Sequence, residues 1–130
     1  MTFGLWDNET INTYLEGNCH LLTFYLWKKL PGSEIYILNE ETKRKSLLQL
    51  HSLVFMKNKF YDINGSYDSE EEFIDGWKEQ FYMEGCNLAL DKTEFPESFS
   101  DWCRVDYSHS EHLQAKEFVE KHYIPMFIKN

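Results

Sequence analysis

Cys19, His51 and Asp62 fall in that order along the chain, with Asn64 two positions beyond. A cysteine thiolate is a strong nucleophile. A histidine beside it takes its proton, and a carboxylate or amide behind the imidazole fixes the tautomer. Cys19 opens the stretch "CHLLTFYLWKKL", which carries apolar or aromatic residues on almost every side and so belongs to a central rather than a surface helix. In the first turn of such a helix, unpaired N–H groups and the helix dipole lower a thiol pKa, and the same groups can hold the oxyanion of a tetrahedral intermediate. The bland account is packing. Cysteine is among the most buried residue types, a histidine can sit at a core edge with one hydrogen bond, and an aspartate just before "NG" makes an Asx turn. It is the combination in one order that favours chemistry.

The elements that must position these groups follow from local signals. A short helix is expected over residues 8–15, capped by Asp7 or Asn8 and ended by Glu16-Gly17. Asn18 is expected to cap a helix from Cys19 to about Leu30, which Pro31-Gly32 stops. "EIYIL" at 34–38 reads as a strand, "NEETKRK" as a charged loop, and "LQLHSLVFM" and "FYDIN" as two strands around the polar "KNK". The S-x-x-E box at Ser69–Glu72 opens a helix to about Tyr82, with Gly76 inside it. "CNLAL" and "WCRVDY" are further strand candidates. A second box, Ser108–Glu111, opens a last helix with Leu113, Phe118, Val119 and His122 on one face, ended by Pro125. Helices, then strands, then helices indicate an α+β fold, a buried central helix on a small antiparallel sheet with further helices at the C-terminus.

The hairpin register decides whether the histidine meets its orienter. Strand alternation puts His51, Leu53 and Phe55 on one face and Phe60, Asp62 and Asn64 on one face of the next strand. A two-residue turn at Lys57-Asn58 pairs Met56 with Lys59 and makes His51 and Asp62 diagonal neighbours, about 7 Å apart at Cβ, with Asn64 opposite His51. A turn at Asn58-Lys59 carries Asp62 out of reach and leaves Asn64 as the neighbour. A three-residue turn without a bulge breaks the arrangement.

"GNC" opening a buried helix, "HSLVF" beginning a strand and "FYDING" on the next one resemble the papain-like and transglutaminase-like superfamily of Cys-His-Asp/Asn enzymes, over about residues 12–68. The resemblance implies Cys19 as nucleophile, His51 as general base and acid, and Asp62 as orienter, with Asn64 the alternative. It implies a cysteine protease-like hydrolase or acyl-transferase: the thiolate attacks an amide or thioester carbonyl of a peptide or protein substrate, and water or an amine resolves the acyl-enzyme. No cofactor is called for. The chain departs from the pattern at His20, where many members carry tryptophan, and at Thr13, beside Asn12, where papain-type members place the oxyanion-hole glutamine.

The other signals have simpler readings. His109 and His112, with Asp106 and Glu111 nearby, lack the convergent ligands a metal site needs and read as a solvated helix start. His20 points about 100° around the helix from Cys19 and is not expected to be its base. Cys19, Cys86 and Cys103 form no CxxC pair, so neither a zinc knuckle nor a disulfide framework is signalled, and a reducing, cytoplasmic location is expected. The 130 residues fit a single domain, and 42% apolar content is enough for a core. A formal charge of −9 argues against nucleic acid or an anionic membrane as partner, and no run of apolar residues is long enough to span a bilayer. The alternative function is a non-catalytic binding or inhibitor protein of the mobile-element type, whose acidic surface meets a basic partner.

Overall fold

The computed structural model describes residues 8–41, 47–93 and 107–128. Helix α1 (Asn8–Asn12) runs directly into a π-helical turn over Thr13–Gly17, two residues beyond the expected end. Asn18 occupies the cap position of α2 (Cys19–Lys29), yet its side chain makes no capping hydrogen bond. The reason is local. The chain enters α2 straight from the π turn, with the Asn18 N–H held on the Thr13 carbonyl at 2.7 Å, so its backbone is not extended as a capping residue's is. Helix α2 is the buried element expected from its composition: Cys19, Leu21, Leu22, Thr23, Phe24 and Leu26 are all inside, and Lys28 and Lys29 sit at the negative end of the dipole. Gly32, at φ +82°, supplies the left-handed residue that turns the chain after it.

Strands β1 (Glu34–Glu41), β2 (Leu47–Met56), β3 (Lys59–Asp62), β4 (Gly65–Tyr67) and β5 (Asn87–Lys92) form one antiparallel sheet in the order β4-β3-β2-β1-β5. β1 extends three residues beyond "EIYIL". The β2–β3 hairpin uses the two-residue turn at Lys57-Asn58, both at positive φ (51° and 66°), as a type I′ connection requires. Met56 therefore pairs with Lys59, Phe55 with Phe60 and Val54 with Tyr61, which is the register that brings Asp62 toward His51. Between β1 and β2 the register shifts: Leu38 faces His51 and Asn39 faces Gln49, leaving Leu50 as the extra residue of a bulge beside His51.

Ser69 caps α3 (Glu70–Phe81) by accepting from the Glu72 N–H at 3.0 Å, and three acidic residues occupy the first turn. Its buried face is Phe73 and Trp77, one turn apart, and Gly76 has ordinary clearance against Tyr67. The full capping box forms at α4 (His109–Phe118), where Ser108 Oγ accepts from the Glu111 N–H and the Ser108 N–H donates to Glu111.

The C-terminal face is a correction. Leu113 and His122 are exposed, and the core-facing residues are Ala115, Phe118, Val119 and Tyr123. A π turn over Val119–Tyr123 winds wider than 3.6 residues per turn and brings Tyr123 inward in place of His122. Pro125 does not stop the chain either. It sits in the first turn of the short helix α5 (Ile124–Phe127), where no N–H is needed. Of the "WCRVDY" candidate, residues 102–106 lie outside the described residues.

The architecture is α+β, with α2 packed on β2 and against α4. No helix among the described residues is long and apolar enough to cross a membrane.

Candidate functional site: a buried thiol–imidazole–carboxylate chain

β2 and β3 pair only as far as Val54 and Tyr61, so β2 from Leu53 back toward His51 is not laddered to β3. The N-terminus of α2 comes in there. His51 is almost fully buried, and its Nε2–H donates to Asp62 Oδ2 at 3.1 Å. That bond leaves Nδ1 as the basic nitrogen of the neutral ring, and Nδ1 is buried with no partner of standard hydrogen-bond geometry. Cys19, buried at the first position of α2, lies within interacting range of the same ring.

The electrostatics of the pair are mutual. Burial pushes the Cys19 thiol up, but the proximity and charge of His51, together with Ser52, outweigh it, so the thiol lies below its ordinary value of 9.0. Burial pulls His51 down, while the Asp62 hydrogen bond and the Cys19 thiolate push it up to about 9. Each group in its charged form thus favours the charged form of the other.

Asp62 is held from three directions. Oδ2 accepts from His51, Oδ1 accepts from the Asn64 N–H at 2.9 Å, and its carbonyl accepts from the hydroxyl of the fully buried Tyr123. The Asx turn set against a chemical role is therefore present beside the imidazole contact, one oxygen serving each. Asn64, the alternative orienter, gives its Nδ2 to Gln80 Oε1 at 3.4 Å, and the ring's hydrogen bond goes to Asp62.

Residues from other elements close the site. Trp77 lies over the His51 ring with centroids 4.8 Å apart, and Phe73 is parallel to it within 8° at 6.2 Å. These contacts put α3 over the imidazole and keep water from the Asp62–His51 bond. Trp77, Phe73, Tyr123 and Ser52 were not singled out from the sequence. The spacing of Phe73 and Trp77 marks a buried helix face, but nothing in it says that the face covers a histidine.

His20 is not the base. Its Nδ1 and Ser52 Oγ share a hydrogen bond of 2.8 Å, and burial followed by the charge of His51 pulls it down to about 4. Thr13 Oγ1 donates to the Glu9 carbonyl at 2.8 Å, so the position compared with the oxyanion-hole glutamine uses its hydroxyl within its own helix. Asn18 Nδ2 donates to Glu111 Oε2 at 3.3 Å and ties the start of α2 to the capping box of α4. His112 shares a 2.8 Å hydrogen bond with the Tyr25 hydroxyl, and no group of three or more potential ligands converges among the described residues, of which Asp106 is not one.

A family model described as phage YunG-like protein matches residues 5–124, nearly the whole chain. No curated protein and no solved structure matches it. The match corrects the resemblance drawn from "GNC", "HSLVF" and "FYDING": the family found is not a papain-like or transglutaminase-like one, and the cysteine-protease and hydrolase expectations carried by that resemblance go with it. A few characters in a shared order are compatible with more than one family, whereas a match over residues 5–124 weighs the whole pattern. The chain belongs to the phage YunG-like family.

Proposed function

We propose that Cys19, His51 and Asp62 form a thiol centre that accepts an acyl group from an activated carbonyl, such as a thioester, and hands it to an incoming nucleophile. One observation carries this reading: a buried imidazole with a carboxylate on Nε2 and a helix-terminal thiol within range of the ring. In the first step the Cys19 sulfur attacks the carbonyl carbon, and the C–S bond forms as the bond to the leaving group breaks. His51 gives its proton to that leaving group. The Cys19 N–H, at the first position of α2, supports the developing oxyanion. In the second step the neutral imidazole takes the proton of the acceptor as it displaces Cys19. Asp62 keeps the ring in one tautomer throughout.

Mixing the protein with a small acyl thioester and measuring intact mass tests the reading. The expected result is a one-acyl adduct that maps to Cys19, is absent from Cys19→Ser and is discharged by an added amine. An unmodified Cys19 after hours at neutral pH overturns it.

The family match supports another reading better than this one, and the net charge of −9 points the same way: a non-catalytic acidic binding or inhibitor protein of the mobile-element type that meets a basic partner. Salt-sensitive capture of a purified basic protein, unchanged by Cys19→Ser, would support it, and the absence of any binding to basic protein at low salt would overturn it.

A further inference from the structure

The Cys19–His51 contact spans two elements that share no backbone pairing, so something must hold α2 and β2 in register at that point. Ser52 adjoins His51 on β2 and is almost fully buried. Its hydroxyl meets two side chains of α2: it shares a 2.8 Å hydrogen bond with His20 Nδ1 and donates to Thr23 Oγ1 at 3.0 Å. His20 follows Cys19 directly, and Thr23 stands one helical turn after it, on the same face. The bridge therefore anchors β2 on the first turn of α2, just after the nucleophile.

The hydrogens can be assigned. A serine hydroxyl has one proton to give, and here it goes to Thr23, so Ser52 Oγ accepts from His20. Low basicity keeps His20 neutral at ordinary pH, so it carries its hydrogen on Nδ1. The main-chain N–H of Ser52 is not laddered to β3, and both this N–H and the Ser52 side chain favour the charged form of Cys19.

We propose that Ser52 is a positioning residue of the thiol centre, whose hydroxyl, anchored on α2 by His20 and Thr23, sets the Cys19 sulfur against His51 and turns from Thr23 to the sulfur when the thiol ionises. The inference rests on Cys19 working as a thiolate and adds the device that steadies it. Thr23 and the thiolate then compete for one proton. Substitutions at the two ends of that hydrogen bond must act in opposite directions, which a merely structural role does not produce.

The experiment is the pH dependence of Cys19 alkylation by iodoacetamide in the full chain, followed by peptide mass spectrometry, with Cys86 as internal reference. Ser52→Ala is expected to move the Cys19 midpoint to higher pH and slow labelling at neutral pH about tenfold, the order expected for a hydrogen bond to a charged group. Ser52→Thr keeps the hydroxyl and is expected to keep the midpoint. Thr23→Val, nearly isosteric, removes the competing acceptor and is expected to move the midpoint to lower pH. Should Ser52→Ala fail to fold, Thr23→Val carries the test alone. An unchanged midpoint in folded Ser52→Ala, or an upward shift in Thr23→Val, overturns the proposal. Because the readout is thiol ionisation, it stays separate from acyl transfer: a thioester that never acylates Cys19 sinks the proposed function and leaves these shifts standing.

Discussion

The chain holds two described thiols in opposite surroundings, and the contrast shows how neighbours move a thiol pKa in opposite directions. Cys19 is buried at the start of α2, and Cys86 is half-buried just before β5. On exposure alone Cys86 would be the one to react. Electrostatics reverse this. Cys86 is pushed up, first by a hydrogen bond with Glu40, then by burial and by the charges of Glu40 and Glu84, against a smaller opposing effect of Lys78. Cys19 suffers the larger burial, yet the His51 imidazole and Ser52 bring it down. The sign of the neighbouring charge outweighs depth, provided that the neighbour is itself held. Asp62 does the holding, and Tyr123 and Asn64 hold Asp62.

Breaking that chain of support should erase the difference between the thiols in graded steps. The largest effect is expected from His51→Ala. In the native protein, iodoacetamide at neutral pH is expected to label Cys19 at least about tenfold faster than Cys86, and the substitution to bring Cys19 to or below the Cys86 rate. Equal rates in the native protein would contradict the comparison outright.

The pH profile sharpens it. Thiolate rises with pH in both cases, but the Cys19 midpoint falls below 9.0 and the Cys86 midpoint above it, so the ratio of the two rates narrows as pH is raised through 9. A Cys86 midpoint below that of Cys19 would reverse the assignment.

Asp62→Asn comes next. It retains an acceptor for the Asn64 N–H but removes the charge behind His51, and slows Cys19 labelling roughly fivefold while Cys86 is unmoved. Tyr123→Phe deletes the hydroxyl donated to the Asp62 carbonyl. Thermal or denaturant unfolding should show a loss of about 1–2 kcal/mol, with a smaller decline in Cys19 labelling. The smallest effect belongs to Glu40→Gln, which takes away the main influence that raises Cys86 and speeds its alkylation about twofold, leaving Cys19 as it was.

Much of this was legible in residue order because the controlling signals are local. Lys57-Asn58 is a polar pair between two β-rich runs, and the I′ turn it makes places Met56 opposite Lys59. Once that is set, strand alternation carries Asp62 to the His51 side. The two S-x-x-E boxes mark helix starts for the same reason, since a hydroxyl three residues from a backbone N–H needs no distant partner.

The failures have the opposite character. Asn18 loses its capping role because the preceding π turn and the distant Glu111 claim it. Tyr123 replaces His122 in the core because of another π turn, a winding that side-chain periodicity at 3.6 residues does not reveal. Three short motifs point to a superfamily that the match over residues 5–124 does not support.

Local sequence alone gave the order of Cys19, His51 and Asp62, the helix that presents Cys19, and the hairpin turn that sets the register of His51 and Asp62. These are properties of neighbours along the chain, where a few dihedral angles and capping bonds decide the outcome. Long-range packing alone sets α2 where β2 and β3 part, lays Trp77 over the imidazole, and puts Ser52 and Tyr123 against the two ends of the site. Those contacts join residues 26 to 61 positions apart, and they depend on how whole faces pack, which no local pattern encodes.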